Sequence, residues 1–410
     1  MSEEAGPVVA AARAATGVSR AGLIGISVGV VAAGAAAGVA IERLTVGRAT
    51  RRRARAELDA NAPYGSLRGR PVTVTAPDGT ELYVELDGTG WPEPSAQDTA
   101  GADAPPAGPE PLTVVFCHGY CLNQDSWHFQ RAALREGMRL VFWDQRSHGR
   151  SERSRSYLAG EPASIDELGG DLKAVLDAVA PTGPLVLVGH SMGGMTVMAL
   201  ADQHPELFRT GVTPAEGGGR VAGVALVGTL AGDWEAVSLG LPAAGAKLFK
   251  KVAPGVMKLL GRQVGLVEAT RRAGADLTAV LYRKFSFGGK DVDPGVVRFA
   301  EQLLDATPID VVAEFYPVFG AHEKTTALAT LRDIPTLVLA GTKDLLTPPG
   351  HSEAIAEQLP GAELVLVEDA GHLVMLEHPG LVDRCLAALL RRAVGYRGTA
   401  PLPPSVRDLL

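Results

Sequence analysis

Hydrophobic and polar positions follow two different patterns along most of the chain. Residues 71–86 alternate with a period of two around Pro77-Asp78-Gly79, which predicts a β-hairpin. Later runs are mainly apolar, as expected for strands of a sheet covered on both faces; they cover residues 112–117, 139–143, 185–188, 221–227, 336–340 and 363–367. Helix-like stretches separate these runs. The pattern therefore predicts an α/β fold with a mostly parallel, eight-stranded sheet flanked by helices.

One long stretch lacks any strand pattern. Residues 231–331 keep a helical periodicity that is broken at Pro254, at Gly288-Gly289 and at Pro308. This predicts a helical cap inserted after the sixth strand. The predicted organisation is a core over residues 71–230 and 332–396, a cap over residues 231–331, and a C-terminal tail over residues 397–410.

The N-terminal part of the chain differs in composition from the core. Residues 21–41 are uncharged and apolar, and about 20 such residues are enough to cross a bilayer. Residues 1–20 are then a tail, and the arginine-rich residues 42–70 are a basic linker. Because positive charge stays on the cytoplasmic side, we expect one N-terminal transmembrane helix that anchors a cytoplasmic catalytic domain. The alternative is a cleaved signal peptide of a secreted protein, which the downstream arginines oppose.

Charge, cysteine content and motifs narrow the classes of function. The formal net charge is −7 and the excess of acidic residues lies in the core, which gives no reason to expect a nucleic-acid partner. Three cysteines, an odd number, fit free thiols better than a disulfide framework. The sequence has no H-E-x-x-H, no paired C-x-x-C and no phosphate-binding glycine loop, so we expect neither a metal nor a cofactor.

The strongest motif lies in residues 184–194, PLVLVGHSMGG. Gly189, Ser191 and Gly193 have the spacing G-x-S-x-G between an apolar run and a helix-like stretch. A serine at such a strand-to-helix turn projects its hydroxyl above the sheet, and glycines flank it because a Cβ would collide across the turn. The N–H groups that begin the following helix favour negative charge at the same place. Ser191 is therefore the predicted nucleophile.

A serine nucleophile needs a general base and an acid that orients the base. Asp344 and His372 each follow one of the last two apolar runs. The carboxyl ends of parallel strands lie at one edge of a sheet, so we expect both side chains beside Ser191. The order serine, aspartate, histidine is also the order of this architecture. Asp233, which follows the sixth predicted strand, is the alternative acid.

Two backbone N–H groups are predicted to form an oxyanion hole. The residue after the nucleophile supplies one donor, here Met192. The loop after the third predicted strand supplies the other, and Tyr120 is the expected residue there. We interpret His118 as a structural residue that holds this loop and the Tyr120 ring as part of the pocket wall.

Four motifs occur in order: His118-Gly119-Tyr120, the segment DQRSHGRS at residues 144–151, the G-x-S-x-G turn, and the pair Asp344 and His372. Together they resemble the α/β-hydrolase superfamily, in its serine esterase and lipase-like branch, over about residues 71–393. The resemblance implies the α/β-hydrolase fold and its catalytic layout. Ser147 stands where the family's D-x-R-G-H-G-x-S turn has its first glycine, and we expect a local adjustment there.

From these residues we expect a serine hydrolase that cleaves carboxylic esters, lipid-like esters included, through an acyl-enzyme on Ser191. Its partner is a small-molecule acyl ester. Two alternatives use the same residues: a cofactor-free perhydrolase similar to the non-haem haloperoxidases, and an acyltransferase in which an alcohol competes with water. A third alternative is a membrane-tethered binding module without catalysis, because fold alone does not determine function.

Overall fold

Eight strands form a single sheet in the order β1-β2-β4-β3-β5-β6-β7-β8. The strands are β1 Arg70–Thr75, β2 Glu81–Gly88, β3 Thr113–Cys117, β4 Arg139–Trp143, β5 Leu185–His190, β6 Val221–Val227, β7 Thr336–Gly341 and β8 Glu363–Val367. The β1–β2 and β2–β4 pairs are antiparallel, and every other pair of neighbours is parallel. The predicted hairpin and the mostly parallel, eight-stranded sheet are therefore confirmed.

The computed structural model describes Leu58 and residues 63–92, 110–209, 219–262, 283–397 and 399–410. The α-helices in this part of the chain are α1 His128–Leu134, α2 Arg155–Leu158, α3 Ile165–Val179, α4 Met192–Gln203, α5 Ala243–Arg262, α6 Pro294–Ala306, α7 Ile309–Phe315, α8 Val318–Ala321, α9 Leu328–Leu331, α10 Pro349–Gln358, α11 Val374–Glu377, α12 Pro379–Arg397 and α13 Pro404–Arg407. Short 3₁₀ helices cover Gln124–Trp127, Pro205–Phe208, Trp234–Ala236 and Thr325–Ala327.

Helices cover both faces of the sheet because the central strands are apolar on both sides. Every residue of β3, β5, β6 and β7 is buried. In β3, Val114 and Phe116 share one apolar cluster with residues of α1 and α12. The alternating residues Val115 and Cys117 belong to a second cluster with residues of α3 and α4. Side chains point to opposite faces at successive strand positions, so one apolar run supplies two cores.

The stretch between β6 and β7 is helical where the structure describes it. Residues 231–262 and 283–331 contain α5 to α9 and no strand. We call residues 231–331 the insertion. Residues 263–282 of the insertion lie outside the described part, and the helical cap with its boundaries stays a prediction.

The predicted N-terminal anchor, residues 21–41, and most of the basic linker also lie outside the described residues. Residues 62–410 form one compact unit, and the whole sheet belongs to it. Within the described part of the chain, no helix combines the length and the apolar character needed to cross a bilayer.

Candidate active site

Ser191 lies on a strained turn between β5 and α4. Its φ is 52° and its ψ is −117°, a region that residues with a Cβ rarely adopt and that costs about 1–3 kcal/mol. Neighbouring strands hold this conformation: the Ser191 N–H donates to the Val227 carbonyl at 2.9 Å, and the Thr229 hydroxyl donates to the Ser191 carbonyl at 2.7 Å. The serine is therefore fixed at the carboxyl edge of the sheet, where the sequence predicted it.

The two flanking glycines are required by close backbone packing. A Cβ on Gly189 would lie 2.4 Å from the Gly193 carbonyl oxygen. A Cβ on Gly193 would lie 2.2 Å from the carbonyl oxygen of Cys117, the last residue of β3. Both distances are far below contact distance, so the G-x-S-x-G spacing follows from the geometry of the turn and from its packing against the end of β3.

Asp344 and His372 form a buried hydrogen-bonded pair. The His372 Nδ1 atom lies 2.8 Å from Asp344 Oδ2. The other carboxylate oxygen, Oδ1, accepts the N–H groups of Leu346 and Thr347 at 2.8 and 2.9 Å. Because these donors hold the carboxylate as an acceptor, Nδ1 of His372 carries a proton and Nε2 presents its lone pair. Ser191 and His372 line the same pocket, so the structure brings the three predicted residues together.

Asp233, the alternative acid, takes no part in this arrangement. It is exposed, adopts a left-handed conformation with φ of 58°, and lines a different pocket with His351. Asp233 and Asp344 both follow a strand, so their sequence positions do not distinguish them. The contacts of their side chains do.

The two predicted oxyanion donors lie at the start of α4 and in the loop after β3. Met192 is the first residue of α4, and the first N–H groups of a helix have no partner inside it. Tyr120 lines the pocket, and its hydroxyl donates to the Val312 carbonyl of α7. Loss of contact with water raises the pKa of Tyr120 well above its usual value, so the phenol stays protonated and acts as a structural donor. The oxyanion role of both N–H groups stays a prediction.

A buried polar network holds the loop that carries Tyr120. The ring of His118 bonds the Gly119 carbonyl through Nδ1 at 2.8 Å and accepts the Gln145 N–H through Nε2 at 2.9 Å. The Gln145 side chain donates to the His118 carbonyl and accepts from the Thr196 hydroxyl of α4. Burial lowers the pKa of His118 to about 3, so this ring is neutral and structural, as interpreted from the sequence.

Sequence reasoning missed two residues that contact the His372–Asp344 pair. The Thr347 hydroxyl donates to Asp344 Oδ2 at 2.8 Å and lies 3.3 Å from His372 Nδ1. The His190 Nε2 atom lies 2.9 Å from the His372 carbonyl oxygen. Burial lowers the pKa of His190 well below its usual value, so Nε2–H of the neutral ring is the donor. The position of His190 next to Ser191 was the only sequence signal for its role.

Ser191 and His372 open into an apolar pocket of about 280 Å³. Its other lining residues are Tyr120, Leu122, Met195, Trp234, Leu239, Phe285, Ser286, Leu304, Tyr316, Phe319, Leu346, Thr347 and Leu373. No lysine, arginine, aspartate or glutamate is among these described residues. Several aromatic residues of the insertion line the pocket, whereas Phe287, Phe299 and Phe315 are buried in the apolar clusters. The lining beside Ser191 is therefore suited to an uncharged, apolar group.

Comparison with known proteins identifies the class. Residues 113–379, well over half of the chain, match the family described as alpha/beta hydrolase fold, and the chain belongs to this family of hydrolases. An uncharacterized protein of Mycobacterium tuberculosis is 26% identical over 311 residues, covering 69% of this chain and 81% of the relative. The sn-1-specific diacylglycerol lipase ABHD11 of Mus musculus is 28% identical over 272 residues, covering 65% of this chain and 76% of the lipase. A thermophilic esterase from Thermogutta terrifontis has a TM-score of 0.57 at 25% identity, covering 79% of this chain and 98% of the esterase.

Proposed function

We propose that this enzyme hydrolyses carboxylic esters through an acyl-enzyme on Ser191. The observation that carries the proposal is the buried His372–Asp344 pair, 2.8 Å apart, in the same apolar pocket as a serine on a strained turn. A serine hydroxyl is a weak nucleophile at neutral pH, and this arrangement supplies the base and the orienting acid that it needs. The similarity to an esterase and a lipase supports an ester as the substrate class.

The mechanism follows from the roles of these atoms. His372 Nε2 takes the proton of Ser191 Oγ as Oγ attacks the ester carbonyl, and the Asp344 carboxylate stabilises the imidazolium that forms. The N–H groups of Tyr120 and Met192 hold the negative oxygen of the tetrahedral intermediate. Nε2 then gives its proton to the leaving alcohol, which leaves an acyl group on Ser191. A water molecule activated by His372 releases the acid and restores the enzyme.

The pocket indicates which esters fit. A volume of about 280 Å³ has room for a chain of several methylene groups. Charged acyl groups would lose their hydration without gaining a Lys, Arg, Asp or Glu partner from the described lining residues. We therefore expect neutral esters with short to medium acyl chains to be the best substrates.

Hydrolysis of p-nitrophenyl esters from acetate to dodecanoate tests the proposal. We expect turnover by the wild-type enzyme with an optimum at medium chain length, and no turnover by Ser191→Ala. A fluorophosphonate probe should label the wild-type enzyme and leave the folded variant unlabelled. Turnover by Ser191→Ala close to the wild-type rate would exclude Ser191 as the nucleophile.

A lipid-like ester is a second candidate substrate, which one surface feature favours. Leu248, Val252 and Val256 of α5 are 63, 49 and 44% exposed and follow one another at intervals of four residues, on one face of the helix. An exposed apolar stripe of this kind is able to contact a lipid surface. Replacing the three residues with Ser should lower activity on emulsified diacylglycerol and leave p-nitrophenyl butyrate hydrolysis unchanged. Equal activity on the emulsion would exclude this role of α5.

We also propose that residues 21–41 anchor the enzyme in a membrane with its catalytic domain in the cytoplasm. The support is the uncharged, apolar sequence of this segment and the arginines that follow it. The full chain should sediment with membranes after expression, and a chain that begins at residue 42 should not. Equal sedimentation of the two chains would contradict the proposal, and cleavage near residue 41 would favour the signal peptide.

A further inference from the structure

Two segments that are distant in the sequence meet at the wall of the active-site pocket. We call residues 283–289 of the insertion the strap, and residues 368–373 after β8 the histidine loop. Phe285 and Ser286 of the strap line the pocket with His372 and Leu373. The Leu373 N–H donates to the Ser286 carbonyl at 2.8 Å. One backbone hydrogen bond therefore connects the pocket wall to the residue that follows His372.

Glycines allow the strap and the histidine loop to approach each other closely. A Cβ on Gly371 would lie 2.5 Å from the Phe287 carbonyl carbon and 2.6 Å from the Gly288 nitrogen. A Cβ on Gly288 would lie 2.4 Å from the Asp369 carbonyl oxygen. Only glycine fits at both positions. The two backbones are therefore in direct contact at Gly371, the residue before His372.

One carboxylate joins both sides of this contact. Glu377, the last residue of α11, accepts the Gly371 N–H through Oε2 at 2.8 Å. Its Oε1 accepts the Gly289 N–H at 2.6 Å, and the Gly288 N–H lies 3.2 Å from both oxygens. Three backbone donors thus converge on one side chain that no step of the mechanism uses. A carboxylate fits this role because it offers two acceptor oxygens and no donor.

We propose that Glu377 is a positioning residue that locks the strap to the histidine loop, so that the acyl-pocket wall and His372 keep one fixed relation to Ser191. The proposal rests on the proposed ester hydrolysis for its kinetic consequences. An amide at this position would keep the size of the side chain but turn an NH₂ group towards backbone N–H donors. Glu377→Gln should therefore loosen the strap and the loop together and leave the Asp344–His372 hydrogen bond in place.

Kinetics on p-nitrophenyl esters test the functional part. We expect Glu377→Gln to lower kcat about 10–100-fold on every ester, because a displacement of His372 by about 1 Å has an effect of this size. We also expect KM to rise more for octanoate than for acetate, because a longer acyl chain covers more of the pocket wall to which Phe285 and Ser286 belong. The matched control is Glu368→Gln, an exposed glutamate on the histidine loop, which should behave as the wild type. An unchanged kcat, or an equal loss in the control, would overturn the proposal.

Hydrogen–deuterium exchange tests the coupling without any substrate. In Glu377→Gln, peptides from residues 283–289 and 369–373 should both exchange faster than in the wild type, and in Glu368→Gln neither should change. Faster exchange in one segment alone, or in neither, would show that Glu377 does not join them. If the wild type cleaves no ester, the proposed function fails, but the exchange result still tests the coupling of the two segments. The positioning of His372 is then tested by its Nδ1–H proton resonance. A shift of this resonance in Glu377→Gln supports the proposal, and an unchanged resonance overturns it. Glu377→Asp, which retracts the carboxylate by one methylene, replaces Glu377→Gln if the latter does not fold.

Discussion

A buried glutamate joins the insertion to the core and should make stability depend on pH. Glu314 of α7 accepts the Ser147 hydroxyl at 2.9 Å and lies 3.0 Å from Arg153. Ser147 has a φ of 65°, so the local adjustment expected at this position is a left-handed serine whose hydroxyl contacts the insertion. Burial raises the pKa of Glu314 from 4.5 to about 7, despite the nearby arginine.

The sign and size of the effect follow from linkage. A carboxyl group with a higher pKa in the folded state contributes stability below its unfolded pKa, and this contribution is lost as the pH rises through the folded pKa. For pKa values of 4.5 and about 7, the free energy of unfolding falls by about 2.5 kcal/mol between pH 5 and pH 8. Glu314→Gln has no proton to lose. The stability of this variant relative to the wild type should therefore increase by about 2.5 kcal/mol over the same range.

Urea denaturation at pH 5, 6, 7 and 8 measures this difference, because titrations common to both proteins cancel. Asp310→Asn is the matched control, since Asp310 pairs with the same Arg153 at 3.1 Å but is 34% exposed. The control should keep most of the pH dependence of the wild type, because the Asp310 charge is only a minor cause of the raised pKa of Glu314 and burial is the largest. Parallel stability curves for Glu314→Gln and the wild type would refute the reasoning.

Two further predictions concern the general base and a buried ion pair. Asp344→Asn should lower kcat about 10⁴-fold in steady-state ester hydrolysis without loss of folding, because the amide favours the wrong tautomer of His372; activity within tenfold of the wild type would exclude Asp344 as the orienting acid. Arg131→Met should reduce the free energy of unfolding by about 3–5 kcal/mol in urea, because the buried Glu85 loses its closest charged partner, 2.7 Å away. The control Arg150→Met removes a half-exposed arginine 3.5 Å from the same carboxylate and should change stability by less than about 1 kcal/mol; equal losses would contradict the assignment.

The sheet and the strained turn at Ser191 could be predicted because each leaves a pattern in the local sequence. A strand buried on both faces is a continuous apolar run wherever it occurs. Gly189 is required by a clash within the turn itself, and Gly193 by a clash with the end of β3. Asp344 and His372 could be predicted because each follows a strand directly. The sequence alone left Asp233 open as the acid, because it also follows a strand, and only its exposed, left-handed position excludes it.

The supporting residues could not be predicted because their roles depend on contacts between distant segments. His190 bonds the carbonyl of a residue 182 positions away, and Glu377 binds backbone donors nearly 90 positions away. Such contacts leave no periodicity and no spacing in a single sequence. The division of the insertion's aromatic residues between pocket and core is equally invisible, because both environments favour the same residue types.

His372, the proposed general base, follows the least protected strand of the parallel part of the sheet. Among the described strands β8 pairs with β7 alone, and four of its five residues are exposed or half-buried. Edge elements with few buried contacts open locally at a lower free energy than the global unfolding of the domain. A brief separation of β8 that also releases the histidine loop from the strap would displace His372 and leave Ser191 and the rest of the sheet in place. Catalytic activity therefore depends on the pairing of the edge strand β8. On heating, activity should be lost at a lower temperature than the one at which the domain unfolds.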